Sequence, residues 1–340
     1  MLVNFNAENA VVSAPAEKKE MLSVKKLGDK TKVRINSSSL TIIQECPRKA
    51  RYLLSEEWRA ENESPATLFG SAIHKALEVY YSTPLKDRSR IPKLDELELM
   101  SFGHAHRDEE NPLVKSIRAF LVKAEPLGKL PPEDKRSLQN GTWILWNYFK
   151  SYVDDPYVTY YDDSGPFVER DFSFTLYEDD KLEIEYFGRI DLVLRNSGTG
   201  NLLVCDHKTS SIVGNDFYNR LKPNHQYTGY LLGTKKCYAL DTDSFLVNCL
   251  QVKARPRTKY GQAPHFPRQI TVRSEDDYAE FRETVRDSVR NYLYFSENGI
   301  WPMGSTSICA NYGGCMFLQV CAAPETLREN ILKSKFKGSI

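Results

Sequence analysis

The chain has 340 residues, of which 41% are hydrophobic and 27% are charged, and its net charge is +1. This composition is typical of a globular protein with a sizeable core, formed by one large domain or by two. It does not by itself indicate a nucleic-acid binder, although a local basic surface would be enough for one. No run approaches the roughly 18 consecutive apolar residues that span a membrane, and no signal pattern begins the chain, so we expect a cytoplasmic protein.

The first part of the chain predicts a tail followed by helices. Residues 1–33 mix polar residues without a clear period, which is typical of a flexible tail. A helix is expected to begin near Ser37 and to be interrupted at Pro47. Apolar residues on one face predict a second helix at 67–82. Residues 83–155 are mostly helical in character and are expected to form an insert, as a separate helical lobe.

The second part of the chain predicts a mixed α/β core. Five runs read as strands, at residues 167–177, 182–194, 202–207, 245–252 and 266–272. Two helices are expected between or after them, at residues 223–238 and 275–297. Because strands are followed by a helix and then by strands again, we expect a central mixed sheet flanked by helices. The sequence contains no phosphate-binding loop, so no ATP-driven motor is predicted.

Two carboxylates and a lysine lie at the ends of strand-like runs. Asp191 follows Gly188-Arg189-Ile190, and Asp206 and Lys208 come after a short polar turn and a second apolar run. A hairpin would bring these side chains together. Two carboxylates beside an ammonium suit a hard cation such as Mg²⁺ and the hydrolysis of phosphodiesters. The structural alternative is two solvated carboxylates and a surface lysine.

Two pairs of polar residues share helix faces. Gly70, His74 and Glu78 are each four residues apart. His74 is a candidate metal ligand, and Glu78 is expected to hold His74 or a metal-bound water, while Gly70 permits a close approach. Gln226 and Tyr230 are likewise suited to orienting a water or to contacting a phosphate oxygen. The structural alternatives are a histidine paired with its i+4 glutamate and ordinary polar residues of a core helix.

The cysteines indicate metal or cluster ligation. An odd total of seven argues against a disulfide framework. Cys309, Cys315 and Cys321 follow one another with five residues between each, and Cys46 is a candidate fourth ligand. Thiolate ligation of an iron–sulfur cluster fits at least as well as zinc, because zinc sites usually contain closer pairs. The other three cysteines are expected to be small core residues: Cys205, Cys237 and Cys249.

In their order along the chain, these motifs resemble those of the RecB-like nucleases of the PD-(D/E)XK superfamily. The matching set is Gly70-x3-His74-x3-Glu78, Gly188-Arg189-Ile190-Asp191, Asp206-His207-Lys208 and Gln226-x3-Tyr230. The stretch around Cys46 and the late cysteine trio resemble the iron–sulfur branch of that family, which includes AddB-type, CRISPR-associated and phage-encoded nucleases. The resemblance extends from about Ser37 to Cys321.

The resemblance implies a restriction-endonuclease-like domain at residues 34–322, with a cysteine-rich cap at 300–322 and a C-terminal tail at 323–340. It implies metal ligands for Mg²⁺ or Mn²⁺, namely His74, Asp191, Asp206 and the backbone carbonyl of His207. Lys208 would position the attacking water or stabilise charge in the transition state, and Gln226 and Tyr230 would support the DNA end.

The resemblance also implies a 4Fe-4S cluster on Cys46, Cys309, Cys315 and Cys321. The first gap between the last three cysteines is five residues here and two in the branch, so Zn²⁺ stays open as the alternative. We therefore expect a DNA exonuclease acting on single strands or DNA ends in repair, recombination, or phage or CRISPR DNA processing, with a helicase, recombination or CRISPR-adaptation partner. The alternative is a catalytically idle DNA-binding or scaffold subunit, against which the intact carboxylates and lysine argue.

Overall fold

The computed structural model describes residues 21–84, 88, 91–95, 111–256, 262–310 and 314–338. These residues form two compact units, each built from separate stretches of the chain. The described part of the first unit lies within residues 21–63, 171–188 and 274–338. The second unit comprises the described residues of Ser64–Arg170 and Arg189–Arg273.

The strands and helices are numbered in chain order. The strands are β1 (Leu22–Leu27), β2 (Lys30–Ile35), β3 (Arg59–Ala60), β4 (Tyr157–Thr159), β5 (Tyr161–Asp162), β6 (Gly165–Pro166), β7 (Val168–Glu178), β8 (Leu182–Asn196), β9 (Leu202–Ser210), β10 (Ser244–Gln251), β11 (Arg268–Val272) and β12 (Phe336–Lys337). The α-helices are α1 (Ser37–Glu45), α2 (Pro47–Ala50), α3 (Pro65–Ser82), α4 (Pro112–Lys123), α5 (Leu138–Ser151), α6 (Asn215–Tyr218), α7 (His225–Tyr238), α8 (Glu275–Asn298), α9 (Thr306–Ala310), α10 (Leu318–Ala322) and α11 (Glu325–Lys335). A π-helical turn at Arg51–Ser55 and a 3₁₀ turn at Glu125–Lys129 complete the set.

The first unit begins with a hairpin of β1 and β2. The two strands pair antiparallel, and Gly28 adopts φ +63° in the turn between them, a conformation that glycine accommodates without strain. The start of β8 continues this sheet in parallel with β2. The predicted tail at 1–33 is therefore wrong for residues 22–33, because buried Val33 and Ile35 give β2 an inward face among half-buried polar residues. Residues 1–20 lie outside the described part of the chain.

Helices α1 and α8 pack in the first unit. The side chain of Asn36 caps α1 by accepting a hydrogen bond from the backbone N–H of Ser39, and Pro47 begins a separate short helix, as predicted. In α8, Phe281 contacts the ring of Tyr186 edge-on, with 5.3 Å between ring centroids. Aromatic contacts of this kind join α8 to the sheet strands of its own unit.

The strands of the second unit also form a mixed sheet. β4 and β9 each pair antiparallel with β8, β9 runs parallel to β10, and β11 is antiparallel to β10. Leu192 pairs with Cys205, so the predicted hairpin of β8 and β9 is confirmed. One parallel pair among antiparallel ones makes the sheet mixed, and helices cover its two faces.

Helices α3, α4 and α5 cover one face of that sheet. Phe120 and Tyr148 from the predicted insert belong to the same buried cluster as Leu192 and Leu246 from the strands. The prediction of a separate helical lobe is therefore wrong, because the apolar faces of these helices are needed to bury the sheet. The part of the insert at residues 85–87, 89–90 and 96–110 lies outside the described residues.

Helix α7 covers the other face, where the ring of Tyr227 stacks on Phe245 with a centroid distance of 4.4 Å. The helix begins at His225 and not at Pro223 as predicted, because the Asn224 side chain accepts a hydrogen bond from Tyr227 N–H and sets the start. The remaining predicted strands and the helix at 275–297 agree with the structure to within a few residues.

The predicted C-terminal tail at 323–340 is wrong for the described residues 325–337, which form α11 and β12. β12 pairs with β3, and the ring of Phe336 stacks on Phe317 at 4.9 Å, so apolar contacts anchor this segment to its own unit. Within the described ranges, no helix is both long enough and apolar enough to cross a lipid bilayer.

Candidate active site

The β8–β9 hairpin of the second unit places the two predicted aspartates together. Asp191 precedes the paired residue Leu192, and Asp206 follows its partner Cys205. The backbone N–H of His207 donates a hydrogen bond of 3.0 Å to Oδ2 of Asp191, which ties one carboxylate to the strand that bears the other. The convergence expected from the sequence is confirmed in the structure.

Helix α3 contributes the histidine. Nδ1 of His74 lies 3.2 Å from Oδ2 of Asp191. Four residues earlier on the same face, a side-chain carbon at Gly70 would meet the hydroxyl oxygen of Thr209 in β9 at 3.2 Å. The glycine therefore allows α3 to lie close against β9 and to bring His74 to the aspartates.

Lysine and glutamine side chains complete a connected group around Asp206. Nζ of Lys208 lies 2.6 Å from Oδ2 of Asp206 and donates to Oε1 of Gln226 at 3.0 Å. Nε2 of Gln226 donates to Oδ1 of Asp206 at 3.4 Å and to the hydroxyl of Tyr230 at 3.2 Å. The structure thus brings together the four residues predicted from β9 and α7.

The carboxylates differ in their protonation. Burial would raise the pKa of Asp191, but its hydrogen bond and ion pair with His74 lower it to about 2. Burial raises the pKa of Asp206 to about 6, with Lys208 opposing and Asp191 adding to the shift. Burial would lower the pKa of His74, but the hydrogen bond and charge of Asp191 raise it to about 9. In the metal-free site the charges of His74 and Lys208 therefore offset those of the two aspartates, and a metal ion would have to displace the proton of His74.

Sequence reasoning missed Glu169, at the start of β7. Its carboxylate, the ring of His74 and the carboxylate of Asp191 offer ligand atoms that all lie within 4.8 Å of one another. Burial, followed by the charge of Asp191, raises the pKa of Glu169 to about 7. Its φ of +50° is unusual for a residue with a side chain. The only signal in the sequence was a charged residue inside a strand-like run.

Glu78 does not hold His74, the first of the two roles expected for it, and the second role, holding a metal-bound water, stays a prediction. Its two carboxylate oxygens accept from Nζ of Lys75 at 2.7 and 2.8 Å, while His74 pairs with Asp191. Lys75 lies three residues before Glu78 on the helix and binds its carboxylate. His74 lies four residues before Glu78 but pairs with Asp191, which belongs to a different element. Glu78 still raises the pKa of Glu169 by its charge, so it lies at the margin of the site.

The residues present suit a divalent metal ion. Among the described residues, no donor other than the Lys208 ammonium reaches the buried Oδ2 atom of Asp206, which makes no well-formed hydrogen bond. A buried carboxylate oxygen that can still accept further bonds is suited to binding a cation. Carboxylates are ligands that Mg²⁺ and Mn²⁺ both accept, and an imidazole beside them favours Mn²⁺.

The four cysteines of the predicted cap lie in the first unit and are all partly exposed free thiols. The sulfur of Cys46 accepts a hydrogen bond from Gly304 N–H at 3.3 Å, and Cys315 N–H donates to the carbonyl of Cys309 at 2.8 Å. Burial raises the pKa of Cys321, and the charges of Cys46 and Cys315 add to that shift.

The cysteines therefore approach one another without forming a compact group of three sulfur atoms. No three of these four sulfur atoms, all in described segments, lie within 4.8 Å of one another. The other cysteines differ in burial: Cys205 and Cys249 are buried, as predicted for core residues, whereas Cys237 is partly exposed.

Comparison with known proteins agrees with this geometry. The family model described as the PD-(D/E)XK nuclease superfamily matches residues 34–322, which include every residue of the site and the four cysteines. The match confirms the resemblance at the level of the superfamily, and the mixed sheet flanked by helices is consistent with its restriction-endonuclease-like fold. No protein of curated function matches the chain.

Proposed function

The chain belongs to the PD-(D/E)XK nuclease superfamily, whose members are metal-dependent nucleases, and on that premise we propose that it is a DNA exonuclease acting on single strands or DNA ends. The observation that supports this best is the β8–β9 hairpin that carries Asp191 and Asp206 on neighbouring strands, with His74 3.2 Å from Asp191 and Lys208 2.6 Å from Asp206. A carboxylate pair with an adjacent ammonium has the charges that phosphodiester hydrolysis requires.

His74, Asp191 and Asp206 would hold Mg²⁺ or Mn²⁺, together with the backbone carbonyl of His207. When bound, such an ion activates water and offsets charge on the phosphate and on the leaving oxygen. Glu169 is our proposed further ligand, because one of its carboxylate oxygens lies within 4.8 Å of a ring nitrogen of His74 and of a carboxylate oxygen of Asp191.

Lys208 would orient the attacking water and stabilise negative charge in the transition state. Gln226 accepts from its ammonium and is itself held by Tyr230, so the two α7 residues limit where that ammonium can point. The same amide and hydroxyl groups are suited to a phosphate oxygen of the DNA end.

The cysteines of the first unit would hold an iron–sulfur cluster of the 4Fe-4S type. Four thiolates on one zinc ion, each at about 2.3 Å, would lie about 3.8 Å apart. The sulfur atoms here are more widely spread, since no three of the four lie within 4.8 Å of one another. What supports the proposed cluster is the resemblance of this cysteine set to that of the iron–sulfur branch, and Zn²⁺ remains the alternative.

A partner would supply unwound DNA in repair, recombination, or phage or CRISPR DNA processing. The sequence has no phosphate-binding loop, so an exonuclease that needs a single strand would depend on a separate helicase or on a recombination or CRISPR-adaptation complex.

Digestion of three DNA substrates tests this function. End-labelled single strands, end-labelled duplexes and closed single-stranded circles are incubated with Mg²⁺ or Mn²⁺, and with a chelator as the control. We expect linear DNA to be degraded, circles to be spared and the chelator to stop the reaction. Cutting of circles at the same rate would replace the exonuclease with an endonuclease. Tight DNA binding without any cleavage would favour the idle scaffold subunit.

A further inference from the structure

A fully buried asparagine lies behind the candidate active site. Asn248 in β10 pairs in register with His207 in the neighbouring parallel strand β9. Nδ2 of Asn248 lies 2.8 Å from Nδ1 of His207, and the same nitrogen donates to the hydroxyl of Tyr148 at 2.8 Å. Oδ1 accepts a hydrogen bond of 3.2 Å from Nε of Arg268. All polar atoms of this side chain are therefore in use.

The contacts of Arg268 fix the direction of these hydrogen bonds. A guanidinium group only donates, so the atom of Asn248 that faces it is the amide oxygen. The amide nitrogen then faces His207, whose Nδ1 must accept. The asparagine thus selects both the orientation of the imidazole ring and its neutral form with the proton on Nε2.

Arg268 is itself held from several sides. Nη1 lies 2.6 Å from Oδ2 of Asp155, and Nη2 donates to the hydroxyls of Tyr81 and Tyr148 at 3.0 and 3.1 Å. Its guanidinium lies 3.5 Å from the ring centroid of Tyr152. Because this buried cation is paired and hydrogen-bonded, it is a firm anchor for Asn248.

His207 receives this support at a critical point in the chain. Its ring is buried and stacks on Tyr81, with a centroid distance of 5.4 Å. Its neighbours along β9 are Asp206 and Lys208, and its backbone N–H is the donor to Asp191. A shift of His207 would therefore move all three of these residues of the site.

We propose that Asn248 is a positioning residue of the nuclease reaction: by holding the ring of His207 it fixes the backbone that bears Asp206 and Lys208 and that hydrogen-bonds to Asp191. This inference rests on the proposed hydrolysis of DNA. The competing view is that Asn248 only satisfies buried polar groups of the core. The two views differ in whether the effect of Asn248 on the reaction depends on His207.

A double-mutant cycle separates them. The single-turnover rate of cleavage of a labelled single strand, the Mn²⁺ concentration for half-maximal rate, and the melting temperature are measured for wild type, Asn248→Ala, His207→Ala and the double variant. Asn248→Leu, which keeps the bulk of the side chain, is measured beside Asn248→Ala. Cys249→Ala is the matched control, because Cys249 is the next residue of β10 and is equally buried.

We expect Asn248→Ala to slow cleavage or to raise the Mn²⁺ requirement by about 10–100-fold. Removing a group that holds metal-binding residues in place typically has an effect of this size. In the His207→Ala background the same change should have almost no further effect. Cys249→Ala should lower the melting temperature comparably and leave the rate within about threefold of wild type.

Three results would overturn the proposal. The first is a rate and Mn²⁺ requirement for Asn248→Ala that match the Cys249→Ala control. The second is a double variant in which the two losses multiply. The third is a failure of both Asn248 variants to fold, which would assign this residue to the core alone. A wild-type protein that cleaves no DNA would instead refute the proposed function.

Discussion

The carboxylate site of the second unit and the cysteine cap of the first unit differ in how their residues are held. Asp191 and Asp206 lie on strands of 15 and 9 residues that pair in a hairpin. Cys309 and Cys321 lie on helices of five residues, and Cys46 lies between two helices. Long paired strands define side-chain positions within the sheet, whereas short segments depend more on what they bind.

The contacts within the two sites reflect this difference. The carboxylate site is already connected through His74, Lys208 and Gln226, at distances between 2.6 and 3.4 Å. Ligand atoms of His74, Glu169 and Asp191 all lie within 4.8 Å of one another, whereas no three of the four cysteine sulfurs of the cap do. We infer that the first site is preorganised for a metal ion, whereas in the second site binding of the cluster contributes to folding.

The largest effect is expected for Asp206→Ala. Removing this proposed ligand should lower the rate of DNA cleavage by about a hundredfold or more. The fold should be retained, because burying the ionised carboxylate costs free energy, as its raised pKa indicates, and the variant no longer has this cost. Cleavage rate and circular dichroism are measured, with Asp241→Ala as the control at an aspartate that is 98% exposed. Equal rates for both variants would remove Asp206 from the reaction.

Cys315→Ser tests the cap. If the cysteines hold a cluster, protein purified without oxygen is brown and contains iron and acid-labile sulfide, and this variant loses both. Its melting temperature should fall by roughly 10 °C, because cluster binding is part of the folding free energy. Cys237→Ser, outside the cap, is the control. Colourless wild-type protein with one zinc per chain would replace the cluster by a zinc site, and unchanged stability without metal would leave these cysteines without a ligand role.

A pH effect on stability should come from His74 in protein freed of metal by a chelator. Its pKa in the folded protein is about 9, above the ordinary 6.5, so its stabilising pair with Asp191 is fully present below pH 6.5 and lost as the pH rises through 9. The free energy of unfolding should fall by about 1–3 kcal/mol over that window. Asp206, with a pKa of about 6, is mostly ionised there and contributes little, whereas Glu169, with a pKa of about 7, loses its proton in the lower part of this window and adds to the fall.

Urea unfolding at several pH values measures this effect, and His74→Gln is the comparison variant. The variant should show a flatter dependence between pH 6.5 and 9 than wild type does. Parallel curves for the two proteins would show that the His74–Asp191 pair does not set the stability of the metal-free site.

The smallest effect is expected for Glu169→Gln. Loss of this one carboxylate should raise the Mn²⁺ concentration for half-maximal cleavage by roughly tenfold, because the remaining ligands are retained. Glu78→Gln is the paired comparison, since Glu78 is engaged by Lys75. A larger shift for Glu78→Gln than for Glu169→Gln would reverse the order that the geometry favours.

Local patterns in the sequence were sufficient for most of the carboxylate site. The β8–β9 hairpin and the i+4 pair of Gln226 and Tyr230 depend on strand and helix periods that the sequence displays. Glu169 was missed because its approach depends on a backbone φ of +50°. Asn248 was missed because its contact with His207 depends on the register of two parallel strands that are far apart in the sequence.

The errors in the fold have similar causes. His74 and Glu78 were correctly predicted to lie on one face of a helix. The partner of His74, however, is Asp191 from another element. The N-terminal hairpin was read as a tail because lysines on its exposed face obscure the alternation of its buried residues. Tertiary partners, and not local propensity, decided these cases.

Anomalous scattering from crystals soaked in Mn²⁺ tests the central claim, that the β8–β9 hairpin and α3 hold a catalytic metal ion. We expect a manganese peak within direct ligand distance of His74, Asp191 and Asp206, and the loss of this peak in crystals of Asp206→Ala. A fully soaked crystal without a peak at these residues, or with the same peak in the variant, would contradict the presence of a catalytic metal ion at this site.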